Sequence, residues 1–180
     1  LSLNEAMRQY FLLRKKYADG GLDFLFKTPF NEDVDSFIYI GEVDEDDYIE
    51  WSPIEKTKYH EFTLLESSIK TKFHSSIIEY FNSYWFADLD GFFDDYYISL
   101  DSILPKVELE SFRKTLQGYK NNHNNELENI PLGMEGNGLI VVVDNTDGTV
   151  KLEDYEKGTY VRLSKSLEDL ITNLHLKRRN

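Results

Sequence analysis

All of the chain's excess negative charge lies in one contiguous stretch. Residues 28–105 carry 18 Asp and Glu against four lysines, Lys56, Lys58, Lys70 and Lys72; the other residues hold 15 acids and 16 bases. Within the stretch, Glu32 to Glu50 has nine carboxylates and no Lys or Arg. A second base-free run, Phe73 to Pro105, adds Glu79, Asp88, Asp90, Asp94, Asp95 and Asp101. Like charges packed this densely repel one another, and solubility does not require such segregation. Aromatics interleave with the acids: Tyr48, Trp51, Trp85, Phe86, Phe92, Phe93, Tyr96 and Tyr97. Acids around a packed aromatic centre suit a surface that steers and docks a basic partner. The same pattern also fits a solvated acidic loop above an aromatic core.

The charge argues strongly against nucleic acid as a direct ligand, because phosphate contacts need clustered Lys and Arg. The basic ends, Arg14–Lys16 and Lys177–Arg179, are too short to reverse that. A net charge of −13 on 180 residues would suit a disordered tail, but 41% hydrophobic and 14% aromatic content argue for a folded core. The absence of cysteine excludes a disulfide scaffold, Cys-ligated zinc and a thiol nucleophile. No apolar run reaches the roughly 18–20 residues of a spanning helix. Leu1–Tyr17 carries Arg8, Arg14, Lys15 and Lys16 and does not read as a signal peptide.

Periodicity places an opening helix over Leu3–Ala18, stopped by Asp19-Gly20-Gly21. Asp23–Asp35 reads as irregular. Strands at Phe37–Gly41 and Tyr48–Trp51 flank the acidic turn Asp44–Asp47 as a hairpin. Ile69, Phe73, Ile77, Tyr80, Phe81 and Tyr84 predict one helix over Glu66–Phe86, ended by Asp88-Leu89-Asp90-Gly91. Strands over Phe92–Leu100 turn at Asp94 and Asp95, and a helix follows over Val107–Tyr119. Lys120–Asn129 and the glycine-rich Gly133–Gly138 read as loops. Leu139–Val143 and Thr149–Leu152 make a hairpin around Asn145–Gly148, and Thr159–Leu163 is a further strand. Ser166 caps a final helix with Asp169 three residues on, and Lys177-Arg178-Arg179 complements that helix's dipole. The class is α+β, mainly antiparallel sheet with helices packed against it. One domain, 1–180, is expected, with an N-terminal helix and irregular segment (1–36) before the core (37–180).

No catalytic constellation is specific. His60, His74, His123 and His175 show no paired-ligand spacing, and no GxSxG, P-loop or GxGxxG occurs. Gly133–Gly138 precedes a strand rather than opening a helix, so it lacks the setting of a phosphate cradle. Asp88–Asp95 fails the calcium-loop pattern because its glycine stands fourth.

Three stretches resemble the Syd family, the SecY-interacting branch of the SUKH superfamily. They are Trp51-Ser52-Pro53 after an acidic turn, Ile78–Gly91 with its Tyr80-Phe81 and Phe86-Ala87-Asp88-Leu89, and the tail of Leu139–Val143, the turn at Gly148 and Gly158 through Leu174, which holds Val161-Arg162-Leu163 and Leu167–Leu170. The resemblance spans most of the chain from about residue 37. It departs where the family's Gln-Trp is Asp101-Ser102 and its Asn-Leu-Ile-Gly-His is only Leu116-Gln117-Gly118-Tyr119. It implies an α+β domain whose acidic concave groove receives basic polypeptide: cytoplasmic loops of SecY for Syd, bacterial toxins, often nucleases, for many SUKH immunity proteins.

The expectation is therefore a bacterial, non-enzymatic binding protein, foremost an immunity protein against a basic toxin. The alternatives are a Syd-like regulator of the SecY translocon and a metal-assisted hydrolase built on Asp88–Asp95. The partner-binding residues expected are Asp44, Glu45, Asp46, Asp47, Glu50, Trp51, Asp88, Asp90, Asp94 and Asp95. No catalytic residue, metal or cofactor is expected. The location expected is cytoplasmic, including the cytoplasmic face of the inner membrane as a peripheral protein.

Overall fold

Ser2 opens the first helix by accepting a hydrogen bond from the Glu5 N–H at 3.1 Å. The computed structural model describes residues 2–178. Helix α1 (Leu3–Asp19) buries Leu3, Ala6, Met7, Tyr10, Phe11 and Arg14. A 3-10 turn over Asp23–Phe26 leads into strand β1 (Lys27–Pro29), where the sequence suggested irregular chain. Pro29 ends the strand because it has no N–H to donate.

Strands β2 (Tyr39–Ile40) and β3 (Tyr48–Trp51) form the expected hairpin, with Tyr39 opposite Trp51 and Ile40 opposite Glu50. The first strand is shorter than expected because Ser36–Ile38 is a 3-10 turn. With β1 they make a three-stranded sheet, ordered β1-β3-β2.

The single helix expected over Glu66–Phe86 is two helices, α2 (Thr63–Ile69) and α3 (Ser75–Phe81). Lys70 adopts the left-handed conformation (φ 57°) between them, and His74 caps α3. The apolar set survives the break: Ile69, Phe73, Ile77, Tyr80, Phe81 and Tyr84 are all buried. Strands β4 (Ile54–Glu55) and β5 (Tyr84–Trp85) pair beside them.

The main sheet has six antiparallel strands, ordered β11-β10-β9-β8-β7-β6. Strands β6 (Leu89–Phe93) and β7 (Tyr96–Leu100) turn at Asp94, as expected. Helix α4 (Glu108–Asn121) packs on β8 (Asn129–Glu135). Strand β8 was not expected. Its Pro131 removes a ladder donor, and the register with β9 (Ile140–Asp144) shifts between Pro131 and Gly133. Gly133 permits a close approach of β7 to β8: a Cβ there would lie 2.3 Å from the Ser99 carbonyl oxygen.

Strand β10 (Val150–Asp154) returns from the Asn145–Gly148 turn, where Gly148 has φ +81°. Strand β11 (Thr159–Ser164) is one edge of the sheet, and Thr159 to Arg162 are exposed. The opposite edge, β6, is closed by the tail: Phe92 N–H donates to the His175 carbonyl at 2.7 Å, and His175 N–H donates back at 2.9 Å. Helix α5 (Leu167–Thr172) begins at Ser166, whose Oγ accepts from Asp169 N–H at 3.0 Å. It ends before Lys177 and Arg178, so those cations are not in its last turn, and Arg179 lies outside the described residues. Helix α1 packs on α5 and α3, bringing the N-terminal segment into the common core.

Candidate functional site

All nine carboxylates between Glu32 and Glu50 are exposed. They lie on the β1-β3-β2 sheet and the loops around it. Among the described residues they make one ion pair, Lys27 Nζ to Asp44 Oδ2 at 3.3 Å. Asp44 is also the turn's organiser. Its Oδ1 accepts from the N–H groups of Asp46 at 2.9 Å and Tyr48 at 3.0 Å, which lowers the pKa of its carboxyl. Asp47 turns the chain with φ 63°. Glu42, Glu45, Asp46 and Glu50 make no side-chain hydrogen bond or ion pair among the described residues; of the four, Glu50 lies close enough to Lys15 across the groove to help hold that lysine's proton.

The β2–β3 hairpin that carries this loop also walls a groove of about 410 Å³ against α1. Leu12 of α1 and Ile40 of β2 stand exposed at it, Glu50 lies opposite Ile40 in the strand register, and Arg8 and Lys15 line the helix side. Both cations are held within α1, Arg8 by Glu5 at 2.5 Å and Lys15 by Asp19 at 2.8 Å. The apolar groove and the acidic loop therefore adjoin.

The other expected site residues fall elsewhere. Trp51 is 1% exposed: its ring lies 5.1 Å from Phe26 and 6.3 Å from Phe11. The Arg14 guanidinium sits 5.9 Å above it. It is a core residue with one edge at the groove floor. Asp90 is occupied. Arg14 Nη1 donates to its Oδ1 at 2.6 Å, and the Tyr97 hydroxyl donates to its Oδ2. The Tyr10 hydroxyl donates to its carbonyl at 2.6 Å, and burial raises that hydroxyl's pKa to about 12. Asp88 is half-buried nearby, and burial raises its carboxyl's pKa against the opposing pull of Arg14. Asp94 and Asp95 stand exposed at the β6–β7 tip, in a hollow with Asn173 and His175.

The ten residues thus occupy three settings rather than one cleft. Among the described residues no three His, Cys, Asp or Glu side chains group as metal ligands, so the carboxylates of Asp88–Asp95 do not converge as the hydrolase alternative required. No described helix is long and apolar enough to cross a membrane.

Two features escaped sequence reasoning. One is the apolar groove, because Leu12 and Ile40 read as ordinary members of a helix and a strand. The other surrounds α4: Tyr119 and Glu153 Oε1 share a hydrogen bond, Glu153 Oε2 meets His123 Nε2 at 2.5 Å, and the Tyr119 and His123 rings stack at 3.6 Å. The four-residue spacing of Tyr119 and His123 was a signal for the stack. Glu153, 30 residues beyond His123, offered none.

A family model described as "Syd protein (SUKH-2)" covers residues 3–175. The chain belongs to the Syd family. It is similar to "Protein Syd" of Idiomarina loihiensis, 31% identical over 150 residues, 81% of each chain. It is also similar to "Protein Syd" of Hahella chejuensis, 27% identical over 126 residues, 69% of this chain and 66% of the relative. Both relatives and the family model carry the name Syd, and none of these names denotes toxin immunity or a catalytic activity. The weight between the two binding readings therefore moves to the one the sequence placed second. The Syd match also begins at residue 3, so it includes α1, which the resemblance from residue 37 left out.

Proposed function

We propose that this chain is a Syd-type binding protein that holds basic cytoplasmic loops of the SecY translocon subunit against its acidic β1-β3-β2 face, as a peripheral protein at the cytoplasmic side of the membrane. The observation that carries this reading is the exposure of all nine carboxylates of residues 32–50 with a single ion pair among them. Such a field raises the encounter rate with a cationic segment and falls off with salt. Glu42, Glu45, Asp46 and Glu50 supply the charge, and the groove beside Leu12 and Ile40 receives an apolar side chain of the bound loop. Asp44 and Asp47 shape the turn that presents them.

The test is retention of the protein on SecY-containing membranes against membranes depleted of SecY, at low and high salt. Retention that needs SecY, weakens at high salt and drops at least tenfold in an E42K/E45K/D46K/E50K variant supports the reading. Equal retention on both membranes, or an unaffected variant, overturns it. Rescue of cells from a co-encoded toxin in place of SecY binding would return the chain to the immunity reading.

A further inference from the structure

Between α4 and strands β8 and β9 lies a second cavity, of about 470 Å³. Asp101, Thr115, Tyr119, His123, Met134 and Tyr155 are among the residues around it, and among the described residues no Lys or Arg lines it. The Asp101 backbone is fixed at both ends: its N–H donates to the Leu132 carbonyl at 2.8 Å, and its own carbonyl accepts the Tyr80 hydroxyl at 2.5 Å. Its carboxylate, by contrast, makes no hydrogen bond or ion pair among the described residues. Burial alone pushes that carboxyl up to about 6. Asp101 is half-buried, and a partly desolvated carboxylate without a counter-charge is a place where a ligand can supply the missing charge.

The neighbouring groups do not supply it. His123 is held at both ring nitrogens, Nδ1 by the Tyr119 carbonyl at 2.6 Å and Nε2 by Glu153 at 2.5 Å. The Tyr119 hydroxyl is bound to Glu153. Tyr155 is about half exposed and approaches the His123 ring at 5.4 Å. Met134 is 48% exposed, and with Pro131 and Ile140 it gives the cavity an apolar side. An adjoining hollow of about 240 Å³ shares Tyr119, Asn122 and His123 and adds the exposed carboxylates of Glu126 and Glu128. A single carboxylate, an apolar wall and aromatic faces together match one cationic head on an aliphatic stem.

We propose that the cavity beneath α4 is a receptor for one organic cation of arginine or lysine side-chain shape, with Asp101 as its counter-charge. The stem lies along Pro131, Met134 and Ile140, and the head sits at Asp101. This site is separate from the acidic β1-β3-β2 face and does not rest on the translocon reading.

The test is an NMR titration of the full chain with n-butylguanidinium, with the neutral isostere N-butylurea as control. The expected result is saturable shifts at the Met134 methyl, Thr115 and Tyr155. Affinity should fall at least tenfold in Asp101→Asn and in Met134→Trp, which obstructs the mouth without touching the charge. The two variants keep the test decisive should either fail to fold. Equal affinity for N-butylurea, unchanged affinity in a folded variant, or shifts confined to other surfaces overturn the proposal. A parallel titration with Ac-Gly-Arg-Gly-amide separates the sources: tighter binding than butylguanidinium assigns a polypeptide side chain, and weaker binding assigns a free cation.

Discussion

Arg14, on the first helix, donates to Asp90, on the first strand of the main sheet, at 2.6 Å, and the same guanidinium donates to the Leu25 carbonyl at 2.8 and 2.6 Å. One cation thus ties α1, the turn before β1 and β6 together. Its side chain is 4% exposed, and the guanidinium also lies 5.7 Å above the Phe26 ring. Removing either partner leaves a buried charge uncompensated. Arg14→Met and Asp90→Asn are each expected to cost about 3–5 kcal/mol in urea denaturation. The double variant is expected to cost less than the two singles combined.

Trp51 and the acidic loop should separate cleanly by experiment. Trp51→Ala removes a core ring and is expected to destabilise by about 3–5 kcal/mol. Glu45→Lys with Asp46→Lys should leave stability within about 0.5 kcal/mol, because both side chains are exposed and unpaired. Asp44→Lys differs from its neighbours, since it removes two turn hydrogen bonds, and should cost about 1 kcal/mol. Thermal unfolding of the three variants in one buffer checks the order.

Asp101 gives stability a pH dependence of its own. Its folded-state pKa lies near 6, above the ordinary 3.8, so the folded chain binds more protons than the unfolded chain between those values. Stability from this group is complete below about pH 4 and is lost as pH rises through 6. Asp101→Asn should therefore be more stable than the parent at pH 7, by at most about 3 kcal/mol, with the difference shrinking toward pH 4. Denaturation midpoints across pH 4–7 measure it.

Lys56 works in the opposite range. Its Nζ donates to the Phe81 carbonyl at 2.5 Å and sits 3.7 Å above the Trp85 ring. Burial lowers it to about 8, against the favourable charge of Glu108. Between pH 8 and its ordinary 10.5 the unfolded chain binds more protons, so stability from this group rises with pH across that window. Lys56→Met should remove that rise, as read from melting temperatures between pH 7.5 and 10.

The fold was largely legible where local chemistry decides structure. Ser2, Gly148 and Ser166 mark their helix starts and turn by interactions within a few residues, and those boundaries agree with the chain read alone. The Glu66–Phe86 stripe predicted which residues are buried but not the break, because Lys70 in a left-handed conformation has no signature that separates it from a helical lysine. Strand β8 was hidden behind Pro131 and Gly133, residues that argue against a central strand unless a neighbour absorbs the irregularity. For the site, charge segregation located the exposed acids, since burial of unpaired carboxylates is too costly to be the rule. It could not separate the uncompensated ones from Asp90, whose partner lies 76 positions away.

His175 takes up the outward backbone groups of Phe92 on β6 and the Tyr10 hydroxyl those of Asp90, so among the described residues the main sheet's exposed border is β11, where Tyr160 and Val161 stand exposed. Two molecules aligned along that border would each use up the last unsatisfied row of backbone donors and acceptors in this sheet. Growth through it would therefore terminate at a pair, and the architecture carries its own protection against runaway polymerisation along this direction.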